Sequence, residues 1–183
     1  MELNFEGSMV IAQLGGRMFA ILALCAAPLL MGSLGPRENL NGRLLAAQNR
    51  ERAIMGVAPL KWNPALASGA HSWARHLART GRFEHSPDDP AAEPAGENLW
   101  AGTIGHYSPE SMIELWVAEK LYYKPGVFPK NSRTGRVESV SHYTQLVWAD
   151  TNEVGCALER GKVEDILVCR YARAGNIIGK RVM

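Results

Sequence analysis

Apolar residues recur with a helical period over residues 40–55. These apolar residues are Leu40, Leu44, Ala47, Ile54 and Met55. Charged residues, among them Glu51 and Arg52, lie between them. One helix face is therefore apolar and the other polar, which is typical of a helix that packs on a core. The pattern predicts a half-exposed helix over 40–55 that ends at Gly56.

Two further helices are predicted by their start signals. Asn63-Pro64 pairs a capping side chain with proline at the first helical position, and apolar residues then recur at helical spacing. This predicts a second helix over 64–80 that ends at Gly81. The run Ser108-Pro109-Glu110 repeats the signal and predicts a third helix that continues to about residue 121.

The hydrophobic period changes near the end of the chain. Segments 154–158 and 166–171 are rich in β-forming residues, and Arg160-Gly161-Lys162 between them is typical of a hairpin turn. A further strand is expected near 97–101, and a short helix is expected over 142–148. Helices combined with such strands predict an α+β fold, with the helices packed on a small, mostly antiparallel sheet.

Residues 122–140 contain too many turn-forming residues for regular structure. Pro125-Gly126 and Pro129 allow few ladder hydrogen bonds, whereas Tyr122, Tyr123 and Phe128 offer apolar contact area. A long loop inside a compact domain is usually functional or a lid. We therefore expect this loop to border a cleft and to be more mobile than the second helix.

The amino-terminal segment has the character of an export signal. Residues 18–31 form a continuous small or apolar run of 14 residues, with Pro28 inside it. Its length suits the apolar part of a signal peptide better than a membrane span, which needs about 20 apolar residues. We predict that 1–35 is a signal peptide or a retained signal anchor, or less favourably a buried first helix. Residues 36–183 then form the folded domain.

Composition limits the class of protein and of partner. The chain has 183 residues, 20 Lys and Arg against 18 Asp and Glu, and 46% hydrophobic residues. It is therefore one globular domain rather than a disordered chain. The basic residues are scattered as singles, which predicts no nucleic-acid partner and no polybasic membrane surface. Contact with a membrane is expected only through an uncleaved amino-terminal segment.

Two cysteines lie within the predicted domain. Cys156 and Cys169 are separated by 12 residues, a spacing that suits neighbouring strands of one hairpin. An even pair in an exported chain indicates a disulfide. Two buried free thiols in a cytosolic protein are the alternative, which the export signal disfavours. Cys25 lies in the export segment and is not expected to belong to the domain.

Four side chains are candidates for chemistry. They are His85, Glu97, Glu119 and His142. Imidazole nitrogen and carboxylate oxygen are both good zinc ligands, and both groups also serve in acid–base catalysis. A buried His and Glu network that only orders loops is the simplest interpretation from the residues alone.

Two longer motifs carry a family resemblance. The run from Ser141 to Thr151, His-Tyr-Thr-Gln-Leu-Val-Trp at its centre, is followed by Val154-Gly155-Cys156-Ala157 and later by the run from Leu167 to Ile177. With His85-Ser86 and Gly96-Glu97-Asn98-Leu99, these motifs closely resemble the CAP superfamily of cysteine-rich secretory proteins, antigen 5 and pathogenesis-related class one proteins. The resemblance covers about residues 40–179.

The resemblance implies a three-layer α-β-α sandwich with a central cleft. It maps the family's tetrad of two His and two Glu onto His85, Glu97, Glu119 and His142, and it implies the Cys156–Cys169 disulfide. The chain departs from many members at Gln48, where they have His, and it lacks the extra cysteines of the larger eukaryotic members. Its single-domain form is similar to that of the bacterial members.

The expected function is that of a secreted or periplasmic binding protein rather than an enzyme. The resemblance implies a cleft that takes zinc or another divalent cation, with His85 and His142 as metal ligands and the two glutamates as orienting partners. A lipid or sterol-like small molecule is a further expected ligand. The alternatives are a metal-dependent hydrolase with Glu97 or Glu119 as general base, and an extracellular interaction domain whose tetrad is structural.

Overall fold

A computed structural model describes residues 39–87 and 93–183. The predicted export segment 1–35, with Cys25, lies outside the described residues. The elements in chain order are α1 Leu40–Ile54, β1 Lys61–Trp62, α2 Pro64–Thr80, β2 Gly96–Thr103, α3 Pro109–Ala118, α4 Ser141–Leu146, β3 Glu153–Arg160 and β4 Glu164–Ala172.

The four strands form one sheet covered on both faces. The spatial order is β1-β3-β4-β2, in which only the β1–β3 pair is parallel. Helix α2 packs on one face, where its Ala70 and Leu77 share a hydrophobic cluster with Val168 of β4. Helices α1, α3 and α4 cover the other face. The α-β-α sandwich and the α+β class are therefore confirmed. No helix in the described part of the chain is long and apolar enough to cross a membrane.

The predicted helix starts are set by local capping. The side chain of Asn63 accepts hydrogen bonds from the backbone N–H of Ala65 and Leu66, at 2.8 and 3.2 Å. The hydroxyl of Ser108 likewise accepts from the N–H of Ser111, at 3.1 Å. Because these groups satisfy amides that lack a partner in the first turn, they fix where α2 and α3 begin.

Helix α1 buries polar residues that its sequence pattern places among exposed positions. Arg52 is fully buried, whereas Ile54, expected on the apolar face, is 65% exposed. The Arg52 guanidinium donates to four backbone carbonyls, at 2.7–3.0 Å; they belong to Ala58, Leu146, Trp148 and Thr151. The burial of Arg52 is thus explained by these carbonyls, whereas Leu44 and Ala47 of the same helix are buried in the apolar core.

Strand β1 was not predicted from the sequence, in which no strand is expected before the second helix. The strand has only two residues, and its hydrogen bonds come from β3 and the residue before it. The N–H of Lys61 donates to the carbonyl of Asn152, and the N–H of Asn63 to that of Val154, each at 2.9 Å. A strand this short has no sequence period, so its partner alone defines it.

Residues 122–140 lack long regular elements but are tied into the fold. A 3-10 turn spans Val137–Ser139, and Tyr123 pairs with Ser132 in an isolated bridge. The N–H of Phe128 donates to the carbonyl of Lys180, at 2.9 Å. Phe128 and Tyr123 are both buried in the main core. The segment is therefore anchored to the core and to the carboxyl-terminal residues.

The hairpin of β3 and β4 carries the predicted disulfide. Cys156 and Cys169 are directly opposite in the antiparallel register, and their Cα atoms are 4.1 Å apart. Their sulfurs are bonded, which confirms the pairing expected from the spacing.

Candidate functional site

Strand β2 positions the first half of the site. It lies at the edge of the sheet and pairs on one side with β4, so that Glu97 faces Arg170 across the ladder. Side chains alternate along a strand, and Leu99 packs with the α2 layer. Glu97 therefore lies on the α2 side, where the segment that follows α2 carries His85.

His85 and Glu97 form a direct pair. Nδ1 of His85 lies 2.8 Å from Oε1 of Glu97, and the backbone N–H of Ser86 donates to the same oxygen, at 3.0 Å. Nε of Arg170 lies 3.4 Å from Oε2. The Glu97 side chain is only 8% exposed, whereas that of His85 is 63% exposed. The pair thus has a buried carboxylate and an accessible imidazole.

The pKa values of the pair shift in opposite directions. The hydrogen bond with Glu97 raises the pKa of His85 above its usual value, against the lowering effect of burial. Burial by itself would raise the pKa of Glu97, but the hydrogen bonds from His85 and Ser86 and the charge of Arg170 lower it. Each partner stabilises the charged form of the other.

Glu119 and His142 form the second pair, which joins the end of α3 to the start of α4. Glu119 follows α3, and His142 lies in the first turn of α4. Nδ1 of His142 is 2.6 Å from Oε1 of Glu119. Oε2 accepts from the backbone N–H groups of His142 and Tyr143, at 3.0 and 3.1 Å. Trp116 stacks on the imidazole at a ring distance of 6.0 Å, so the ring is fixed on two sides.

The two pairs are joined through Asn98. This residue follows Glu97 in β2 and points to the other face, where its amide donates to the carbonyl of His142, at 3.1 Å. The same amide donates to the hydroxyl oxygen of Tyr171, at 3.3 Å. The Tyr171 hydroxyl in turn donates to the side-chain oxygen of Gln48, at 2.8 Å. Gln48, the departure noted in α1, is thus a buried part of the supporting network.

Several residues that support the site are not among the candidates predicted from the sequence. Glu51 is 6% exposed and accepts from the hydroxyl of Tyr143, at 3.0 Å, and from Lys120, at 2.9 Å. The spacing from Leu44 to Gln48 and Glu51 is helical, so the period of α1 carried this signal. The contact of Arg170 with Glu97 carried no local signal, because it depends on the pairing of β2 with β4.

Each pair leaves the Nε2 atom of its histidine available to a ligand. Nδ1 of each histidine is engaged by a glutamate, and among the described residues Nε2 of His85 and of His142 makes no hydrogen bond or ion pair. Within that same part of the chain, no group of three or more His, Cys, Asp or Glu side chains is placed to hold a metal ion. The described residues thus offer two imidazole nitrogens as donors rather than a closed metal cage.

Comparison with known proteins identifies the class to which this fold and disulfide belong. The model of the cysteine-rich secretory protein family, CAP, matches residues 45–171. The chain belongs to this family. Pathogenesis-related protein PRMS of Zea mays is 34% identical over 148 residues, which is 79% of this chain and 83% of that protein. Pathogenesis-related protein 1C of Nicotiana tabacum is 33% identical over 144 residues, 78% of this chain and 80% of the relative.

Solved structures show the same fold at lower identity. The crystal structure of NaASP2 with Zn²⁺ has a TM-score of 0.66 and 21% identity, and the match covers 77% of this chain and 83% of that one. The structure of BmVAL-1 has a TM-score of 0.65 and 22% identity, with 79% and 81% covered. These likenesses establish the fold of the domain.

Proposed function

We propose that the protein is an exported binding module in which His85 and His142 take up a divalent cation such as zinc. The observation that carries the proposal is the orientation of both imidazoles by carboxylates through Nδ1, which leaves Nε2 as the donor. Metal-binding histidines usually donate their other ring N–H to a carboxylate or carbonyl in this way.

The donor chemistry fits zinc or a similar ion. Neutral imidazole is a favoured zinc ligand, and a bound divalent cation would supply Lewis acidity to a ligand beside it. With two protein ligands the affinity is expected to be modest. The fold neighbour NaASP2 was crystallised with Zn²⁺. That finding concerns NaASP2 and supports a test for zinc here.

Titration calorimetry with zinc tests the proposal. We expect binding to the parent protein at pH 7.5 and weaker binding at pH 5.5, because protons compete for the imidazole nitrogens around the usual histidine pKa of about 6.5. His85→Ala and His142→Ala should each reduce the affinity. His106→Ala is the matched control, because His106 is also exposed and has no carboxylate partner in the described part of the chain. Equal zinc affinity in all four proteins would reject the site.

A hydrolase is the second candidate, and the geometry favours one carboxylate for it. Both oxygens of Glu119 accept hydrogen bonds, so this residue is committed to holding His142 and the start of α4. Oε2 of Glu97 is buried and has no hydrogen-bond partner in the described residues, although Arg170 is near it. Glu97 is therefore the better general base. Turnover of peptide, ester or glycan substrates that is lost in Glu97→Gln would establish this alternative.

The proposal also includes export of the protein from the cytoplasm. A cross-strand disulfide is typical of proteins that fold in oxidising compartments, and the amino-terminal apolar run is typical of a signal peptide. Mass spectrometry of the secreted or periplasmic protein should find an amino terminus created before about residue 37. Recovery of full-length, membrane-bound chain alone would indicate a retained anchor instead.

A further inference from the structure

A basic cavity lies in the segment between α3 and α4, and neither His–Glu pair lines it. It has a volume of about 750 Å³. Its lining residues are Lys124, Pro129, Lys130, Ser132, Gly135, Arg136, Val137 and Glu138. Ligand cavities in proteins usually measure about 300–1,000 Å³, so the space suits a small organic molecule.

The segment that contains this cavity is more basic than the rest of the chain. Residues 122–140 contain four basic residues and one acidic residue, a net charge of +3, whereas the whole chain has a net charge of +2. The remainder of the chain is therefore slightly acidic. Although the basic residues are scattered singly along the sequence, the fold gathers Lys124, Lys130 and Arg136 around one space.

Two of these cations are available to a ligand. In the described ranges no carboxylate lies within ion-pair distance of Lys124 or Lys130. Arg136 lies 3.9 Å from Glu138, and both side chains are more than two-thirds exposed, so this contact is weak. The cavity lining therefore has an uncompensated charge of about +2, from three cations and one carboxylate.

The cavity wall is held in place from two directions. The N–H of Lys124 donates to the carbonyl of Asn131, at 3.0 Å, and Val127 forms an isolated bridge with Arg181. Asn131 lies between two lining residues and is fully buried, yet neither its amide nitrogen nor its amide oxygen has a partner among the described residues. Asn131 does not itself line the cavity, so the polar contacts available to a ligand are those of the lining side chains.

We propose that this cavity binds the phosphate group of an organic phosphomonoester. Such a group has a charge of about −1.5 to −2 at neutral pH and three strong acceptor oxygens, which match the uncompensated charge and the donors of Lys124, Lys130 and Arg136. A ligand with a single carboxylate would neutralise only one of the three cationic side chains. The phosphate alone would fill little of the cavity, so the organic part contacts Pro129 and Val137.

The phosphomonoester could be soluble or the headgroup of a lipid, and the probes separate these sources. Inositol 1-phosphate is titrated by calorimetry at about 0.15 M salt, where exposed charges more than about 8 Å apart are screened. Phosphatidylcholine vesicles with and without phosphatidic acid are tested by co-sedimentation. Binding to inositol phosphate assigns a soluble ligand, and binding only to vesicles that contain phosphatidic acid assigns a lipid headgroup.

The decisive variant is Lys124→Gln with Lys130→Gln and Arg136→Gln. We expect at least an approximately tenfold loss of affinity for the phosphate probe, since charge-assisted hydrogen bonds are lost. The matched control is Arg50→Gln with Arg75→Gln and Arg79→Gln, which makes the same change in net charge at exposed positions of α1 and α2. This control should bind as the parent does, and thermal unfolding confirms that both variants are folded.

Three results would overturn the proposal. They are no binding of either probe by the parent, an equal loss in the two triple variants, and unchanged binding in the cavity variant. Zinc titration of the cavity variant is expected to match that of the parent. The phosphate site and the cation site can thus fail independently.

Discussion

Arg52 shows how one buried side chain can hold several segments together. Its guanidinium joins the end of α1 to the loop after it and to residues 146–151. Burial lowers its pKa to about 10, so the group stays charged at neutral pH. Its charge is satisfied by carbonyl oxygens rather than by a carboxylate, and each bond to a charged donor is stronger than a neutral one.

We predict that Arg52→Met lowers the free energy of unfolding by about 3 kcal/mol or more, because four carbonyls lose their donors inside the protein. Arg50→Met, at an exposed position of the same helix, should change it by less than about 0.5 kcal/mol. Chemical denaturation of both variants and the parent measures the difference. Similar values for the two variants would contradict this role of Arg52.

The His85–Glu97 pair should make stability depend on pH on both sides of neutrality. The raised pKa of His85 means that its contribution is complete below the unfolded-state pKa of about 6.5 and is lost as pH rises through the folded-state value. The lowered pKa of Glu97 means that its contribution is present above its unfolded-state pKa of about 4.3 and is lost as pH falls through the folded-state value.

We therefore predict that His85→Gln destabilises the protein more at pH 6 than at pH 9. The difference should be below about 1 kcal/mol, because the imidazole is largely exposed and screened by solvent. Denaturant unfolding at both pH values, with His106→Gln as control, measures it. A destabilisation that is the same at pH 6 and pH 9 would show that the ion pair contributes nothing.

At the scale of elements, those defined by local sequence signals could be predicted, whereas those defined by a distant partner could not. The starts of α2 and α3 followed from Asn63-Pro64 and Ser108-Pro109, because the capping side chain lies beside the amides that it satisfies. Strand β1 could not be predicted, because its partner in β3 is about ninety residues away in sequence. The family motifs indicated the tetrad, but only the sheet pairing revealed Arg170 beside Glu97.

The β3–β4 hairpin allows a prediction about its disulfide. Cys156→Ser or Cys169→Ser should lower the free energy of unfolding by about 2–5 kcal/mol, the usual effect of removing a native disulfide from a small secreted domain. The double variant should resemble either single one, since both remove the same cross-link. Denaturation under non-reducing conditions measures this. Two free thiols in the parent would contradict the bond.

The segment 122–140 is expected to exchange its amide hydrogens unevenly. The N–H groups of Lys124, Phe128 and Arg133 are bonded to backbone carbonyls, at 2.7–3.0 Å, so they should exchange more slowly than that of the exposed Gly135. Exchange followed by mass spectrometry or NMR, with α2 as the slow reference, tests this. Uniformly fast exchange across the segment would support the more mobile loop that its turn residues predict.

At the scale of the whole molecule, the covering of a small sheet on both faces was predictable, whereas the distribution of charge was not. The helical and strand periods indicated an α+β fold, and the family resemblance implied the α-β-α sandwich. Because Lys124, Lys130 and Arg136 are separated in the sequence, a dispersed charge was expected. Sequence separation does not show that a long segment folds back on itself and brings such residues together. Their common cavity results from bridges such as Tyr123–Ser132 and Val127–Arg181.

Strand β2 contacts both His–Glu pairs through two consecutive residues that point to opposite faces. Glu97 reaches His85 on one side, and Asn98 reaches the carbonyl of His142 on the other. Inserting one residue between Glu97 and Asn98 would place both side chains on the same face, so that one of the two contacts would be lost. Among related sequences, length differences should therefore fall before Gly96 or after Thr103 rather than within the strand.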